Sequence, residues 1–116
     1  LESYVDTVYI KAPLVSEAAT FKIKDLKAGM KRVNLKAKVL EIPEPNVVYT
    51  RFGTEAYVSN LHVADETGTI RMSLWNRQID MVSEGDLVKI ENGRVARFRG
   101  ERQLRIGKDG SFSVIE

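Results

Sequence analysis

Cysteine is absent from this chain, which excludes a disulfide scaffold and any thiolate metal site and fits a reducing cytosol. No apolar run approaches the length of a membrane span, so no membrane partner is expected. Histidine occurs once, as His62, and no paired carboxylates stand at a spacing suited to acid/base work. Asp65 and Glu66 are adjacent in a turn cluster, where carboxylates serve turn geometry and solvation. Gly107-Lys108-Asp109-Gly110 lacks the remaining residues of a phosphate loop and the helix that should follow, and reads as a reverse turn. The chain is therefore not read as an enzyme, and no cofactor or metal is implied. Net charge is only +2, so composition alone does not announce a polyanion binder.

What is present is alternation. In a chain of 116 residues, 43% hydrophobic, there is material for one small globular core. Val33, Leu35, Ala37 and Val39 alternate with Asn34, Lys36, Lys38 and Leu40, a first strand ended by Pro43 and Pro45. A first long loop is expected over 44–55. A second strand, about 56–64, sends Leu61 and Val63 inward and Asn60 and His62 outward. Asp65 to Gly68 is a tight turn, and the third strand after it puts Ile70, Met72 and Leu74 on one face. Thr69, Arg71, Ser73 and Trp75 take the other face. The only tryptophan, in line with an arginine on a polar face, has no core to fill and is placed to touch something.

Residues 78–82 suffice for about one helical turn, with Ile79 and Val82 packing inward. A fourth strand is expected over 87–92, a second loop over 97–102, a fifth strand over 103–106 and a last extended segment over 111–115. Ile23, Leu26 and Met30 form a lead-in able to close one end of a barrel. The fold class is thus all-β: a five-stranded OB-fold Greek-key barrel with a short helix between strands 3 and 4. The division is residues 1–20 as an N-terminal extension or the remnant of a preceding segment, and 21–116 as an OB-fold nucleic-acid-binding domain. The chain opens on Leu1, which points to an excised fragment or a processed chain; the apolar residues among the first twenty could add a strand to an exposed edge, cover the barrel or be the remnant of a preceding domain in a longer multi-OB protein, the last being the favoured origin.

Charge is segregated. From Arg94 to Lys108 lie six basic residues against one acid, a local balance of +5 that leaves −3 for the rest. Such a block is either a solvated arginine-rich loop or an electrostatic footprint for a polyanion. Phe98 between Arg97 and Arg99 favours the second, since a ring flanked by guanidinium groups offers stacking and phosphate contacts together. The candidate stacking residues are Trp75, Phe98, Phe52 and Tyr49. Candidate phosphate or polar contacts are Lys36, Lys38, Arg51, His62, Arg71, Arg94, Arg97, Arg99, Arg102 and Arg105. For Lys36 and Lys38 ordinary solvation of a strand face is an equal reading, and Tyr49 or Phe52 could fold back over the core.

Five runs in order, 29–35, Asp65-Glu66-Thr67-Gly68, Leu74-Trp75, 84–92 and Phe98-Arg99-Gly100, resemble the archaeal single-stranded DNA-binding proteins related to replication protein A and the small single-OB proteins allied to them. The resemblance covers about 23–106. It implies base stacking by Trp75 and Phe98, and single-stranded DNA as partner in replication, recombination or repair in the cytoplasm. Where some relatives carry another aromatic just before the second loop, this chain has Arg94. RNA or tRNA would use the same face, and a protein-interaction subunit of a replication or repair complex would bury it. Sequence preference is expected to be slight and biased to pyrimidine runs, because no dense set of Asn, Gln or Glu is foreseen along the groove.

Overall fold

The computed structural model describes residues 20–116. The expectation for the N-terminal extension therefore lies outside the described residues, except for Thr20, which forms a parallel bridge to Asn34. The elements are β1 (Val33–Glu41), β2 (Asn46–Tyr49), β3 (Glu55–Asp65), β4 (Gly68–Trp75), β5 (Leu87–Phe98), β6 (Glu101–Arg105) and β7 (Ser111–Val114). Short 3₁₀ turns cover Ile23–Asp25 and Asn76–Met81.

Five strands close on themselves in the order β1-β3-β4-β6-β5 and back to β1, the OB barrel. The alternation on β1, β3 and β4 is realised: Val33, Leu35, Ala37, Val39, Leu61, Val63, Met72 and Leu74 are buried. Ile23 and Leu26 plug one end of this core and Met30 packs against it. Each fully buried aliphatic side chain of this kind stabilises the fold by about 1.5–3 kcal/mol.

The remaining strands correct the boundaries. The expected first loop contains β2, which pairs with β3 as a hairpin, Val48 opposite Ala56 and Tyr49 opposite Glu55. β5 does not stop at Asn92. Val33 pairs with Gly93 but Leu35 with Ile90, so the register shifts there, and Asn92 takes a left-handed φ of 55°. Such a bulge bends a strand, and here β5 leaves β1 beyond it and continues along β6. The expected second loop shrinks to Arg99 and Gly100, both at positive φ (53° and 82°), the geometry of a two-residue type I′ hairpin. The helical turn begins two residues earlier than expected and is 3₁₀ throughout.

Asp65 fastens the 3₁₀ turn at Ile23 to the β3–β4 hairpin. One carboxylate oxygen accepts the Ile23 N–H at 2.8 Å; the other accepts the N–H and hydroxyl of Thr67 at 2.7 and 2.6 Å. Burial pushes the carboxyl up, but the hydrogen bonds from Thr67, Ile23 and Gly68 together outweigh it and hold Asp65 below the usual carboxylate value. A carboxyl depressed in the folded state contributes stability above its unfolded value and loses it as pH falls through the folded one. Urea unfolding from neutral pH down to about pH 2 should therefore show a loss that Asp65→Asn reduces, the variant being the less stable at neutral pH. Parallel pH profiles for the two proteins would remove Asp65 from this role.

Candidate nucleic-acid interface

The outer faces of β3, β4, β6 and the far half of β5 share one concave surface, and strand register fixes who meets whom on it. Val58 lies opposite Trp75, Asn60 opposite Ser73 and His62 opposite Arg71. Across the parallel β4–β6 pair, Arg71 lies beside Gln103 and Ser73 beside Arg105. From β5, Phe98 faces Glu101. Trp75 and Phe98 thus come from different strands but line one cavity of about 280 Å³, with Asn60, Ser73, Gln103 and Arg105 between them. Both rings remain accessible, Trp75 at 43% and Phe98 at 40% exposed.

Each aromatic is held by its backbone. The Trp75 N–H donates to Gln78 Oε1 at 3.0 Å, while Asn76, at φ 52°, accepts the Tyr57 N–H at 2.9 Å and fixes the exit from β4. Phe98 immediately precedes the I′ turn, and the Arg99 guanidinium lies 5.1 Å from its ring centroid. An arginine in the left-handed region is strained relative to asparagine or glycine.

Arg71, Arg99 and Phe98 also line an adjoining cavity of about 400 Å³ with Glu44 and Glu101. A third hollow joins His62 and Arg71 to Arg97. The structure therefore puts Trp75, Phe98 and Arg105 in one cavity and Arg71 and Arg99 in the adjoining one, while His62 and Arg97 meet Arg71 in the third hollow.

Other candidates go elsewhere. Arg102 Nη1 donates to the main-chain oxygens of Ile23 and Leu26 at 2.8 and 2.7 Å, so although it borders the groove its cation secures the 3₁₀ turn. Its partner across the hairpin is Arg97, on the strand face opposite to Phe98. Arg94 shares the parity of Phe98 but lies beyond the groove, its stem over Gly107, in a hollow with Lys31, Arg32 and Asp109. Lys36 lies opposite Lys89 on the β1–β5 seam, and neither it nor Lys38 lines the groove. Tyr49 alternates onto the face of Val47 and Tyr57, away from Trp75, so Val48 is the β2 residue that reaches the groove. Phe52 is 84% exposed at the tip of the β2–β3 hairpin with Arg51 over its ring at 5.8 Å. Neither residue lines the groove cavities.

Alternation in the sequence turns Asn60 and Ser73 outward, but neither they nor Gln103 stand among the candidate site residues read from it. Asn60, Ser73 and Gln103 line the groove floor, with Glu44, Asn46 and Glu101 close by, so the expectation of a groove poor in base-reading side chains is overturned. Gln103 is 5% exposed, and its amide is polar because it faces the groove, not the core. Its parity relative to buried Leu104 is the signal that could have found it.

A family model described as "Single-stranded DNA binding protein Ssb-like, OB fold" matches residues 26–114. A single-stranded DNA binding protein Ssb from Saccharolobus solfataricus is 37% identical over 86 residues, 74% of this chain and 57% of that protein. Replication factor A from Methanothermobacter thermautotrophicus is 39% identical over 94 residues, 76% of this chain and 12% of that protein. This chain thus spans little more than half of the one relative and a small part of the other. Among solved structures, an OB domain from Thermoplasma acidophilum superimposes with a TM-score of 0.72 at 27% identity, covering 84% of this chain and 87% of that one.

Proposed function

Because this chain belongs to the Ssb-like OB-fold family of single-stranded DNA binding proteins, we propose that it binds single-stranded DNA by base stacking on Trp75 and Phe98, with phosphates held by Arg71, Arg97, Arg99 and Arg105. The observation that carries this reading is the single cavity between two exposed rings, with Arg105 in its lining and Arg71 and Arg99 in the cavity that adjoins it. Single strands expose their base faces, whereas a duplex has already stacked them, so the groove favours the former. The activity is binding without turnover. Its setting is replication, recombination or repair in the cytoplasm, where other proteins of those processes would be neighbours.

Affinity should fall with salt, because phosphate contacts release counterions. Charge removal at Arg97 and Arg99 together is expected to flatten the plot of log affinity against log salt by roughly 0.7 for each phosphate no longer neutralised. Phe98→Ala should lower affinity at every salt concentration and leave the slope nearly unchanged. Equal affinity for duplex and single strand at moderate salt would overturn the reading. Preference for an RNA of equal length in competition would reassign the same groove to RNA.

A further inference from the structure

We infer that the floor between Trp75 and Phe98 selects keto bases over amino bases, disfavouring adenine and cytosine relative to guanine and thymine. The inference rests on the single-strand reading above and adds a base preference to it. Three side chains form a hydrogen-bonded row across the floor: Arg105 Nε donates to Gln103 Oε1 at 2.8 Å, and Gln103 Nε2 donates to Asn60 Oδ1 at 2.8 Å.

Arginine can only donate, and this sets the direction of the whole row. Gln103 must turn its oxygen to Arg105, its nitrogen therefore faces Asn60, and Asn60 must answer with its oxygen. Both amide oxygens are thereby turned into the row, each accepting there. The Asn60 main-chain oxygen is also occupied, by Arg71 Nη1 at 3.2 Å. What remains toward the cavity are donors: the Asn60 Nδ2 hydrogens, the second Gln103 N–H and the Arg105 Nη groups, none bonded to another described residue. Only the Ser73 hydroxyl in this row can turn either way. The carboxylates of Glu44 and Glu101 line the adjoining cavity and not this one.

A floor of donors is complementary to base edges that accept. Guanine offers O6 and N7 side by side, and thymine offers carbonyl oxygens. Adenine's N6/N7 edge needs a donor and an acceptor from one amide, and the oxygens of Asn60 and Gln103 are already turned away into the row. An exocyclic amine of adenine or cytosine set against these donors would lie unpaired in a confined site.

Repeats of GT and of CA of equal length isolate the effect. Each contains one purine and one pyrimidine per repeat, so ring area and phosphate number match while guanine O6 and thymine O4 are replaced by the exocyclic amines of adenine and cytosine. The GT strand is expected to bind about fivefold tighter, the size of one net hydrogen bond. Asn60→Asp, which turns the outward amide group into an acceptor, should bring the ratio to unity or below, and Asn60→Ala should flatten it. Any charge penalty of the aspartate falls on both strands alike, and thermal melting of both variants shows that the fold is kept. Equal binding of GT and CA repeats by the unaltered protein overturns the inference while leaving single-strand binding intact, as does a ratio that survives in both variants. Failure to bind GT, CA and oligo-dT strands would instead overturn the single-strand reading itself.

Discussion

Alanine at both Trp75 and Phe98 is expected to weaken binding to a single strand by about 2–6 kcal/mol, if each platform contributes the usual 1–3 kcal/mol per base. The two rings line one cavity, so their contributions need not add, and the single variants set the scale of the coupling. Stability should change little by comparison. Both side chains are substantially exposed, and the Trp75 N–H that donates to Gln78 survives in an alanine. Fluorescence anisotropy with a labelled oligonucleotide gives the affinities, and urea unfolding gives the control. A folded double variant with parental affinity would remove both residues from the interface.

The second large effect concerns stability. Arg102→Leu should destabilise the fold by about 2–4 kcal/mol, since hydrogen bonds to a charged group contribute about 1.5–3 kcal/mol and two carbonyls lose their donor together. The salt slope of binding should stay where it was. Lysine at this position would keep the charge and several donors on one nitrogen, but its stem and strongly hydrated ammonium do not reproduce the place of Nη1 between the Ile23 and Leu26 oxygens, so rescue should be partial. Urea unfolding and a salt titration of the same variant test both halves. A stable variant with a flattened slope would return Arg102 to the phosphates.

Trp75 and Arg102 differ in how far the chain alone reveals their roles. Period-two alternation turns Trp75 outward as soon as Ile70, Met72 and Leu74 are recognised as core, and all three are buried. Arg102 escapes the same treatment because the +5 segment reads as a single block of charge, whereas a β-strand distributes consecutive residues over two faces. Within it Arg105 faces the groove, Arg102 is tied to the 3₁₀ turn, and Arg94 rests on Gly107. Asn92-Gly93 is a dipeptide that favours turns, yet Asn92 uses its tolerance of positive φ to make a bulge, so β5 runs on past 92, where the fourth strand is expected to end. Arg99-Gly100 is the true hairpin, hidden by an arginine where asparagine is usual. β2 is concealed by Pro43 and Pro45, which signal a loop. Its pairing with β3 rests on a turn at Thr50 to Thr54 with Gly53 at φ 80°. Alternation turns Asn60 and Gln103 outward one by one, but their meeting on one floor is hidden: it depends on β4 and β6 lying parallel, a pairing between distant segments that no local pattern encodes.

Trp75 is the only tryptophan, so intrinsic fluorescence reports on the proposed stacking site without a label. Titration with oligo-dT should quench Trp75 emission to saturation, at the same stoichiometry and affinity that anisotropy of the labelled strand records. A strand that binds by anisotropy while Trp75 emission stays unchanged would contradict the account, because the DNA would then lie on some other surface of the barrel.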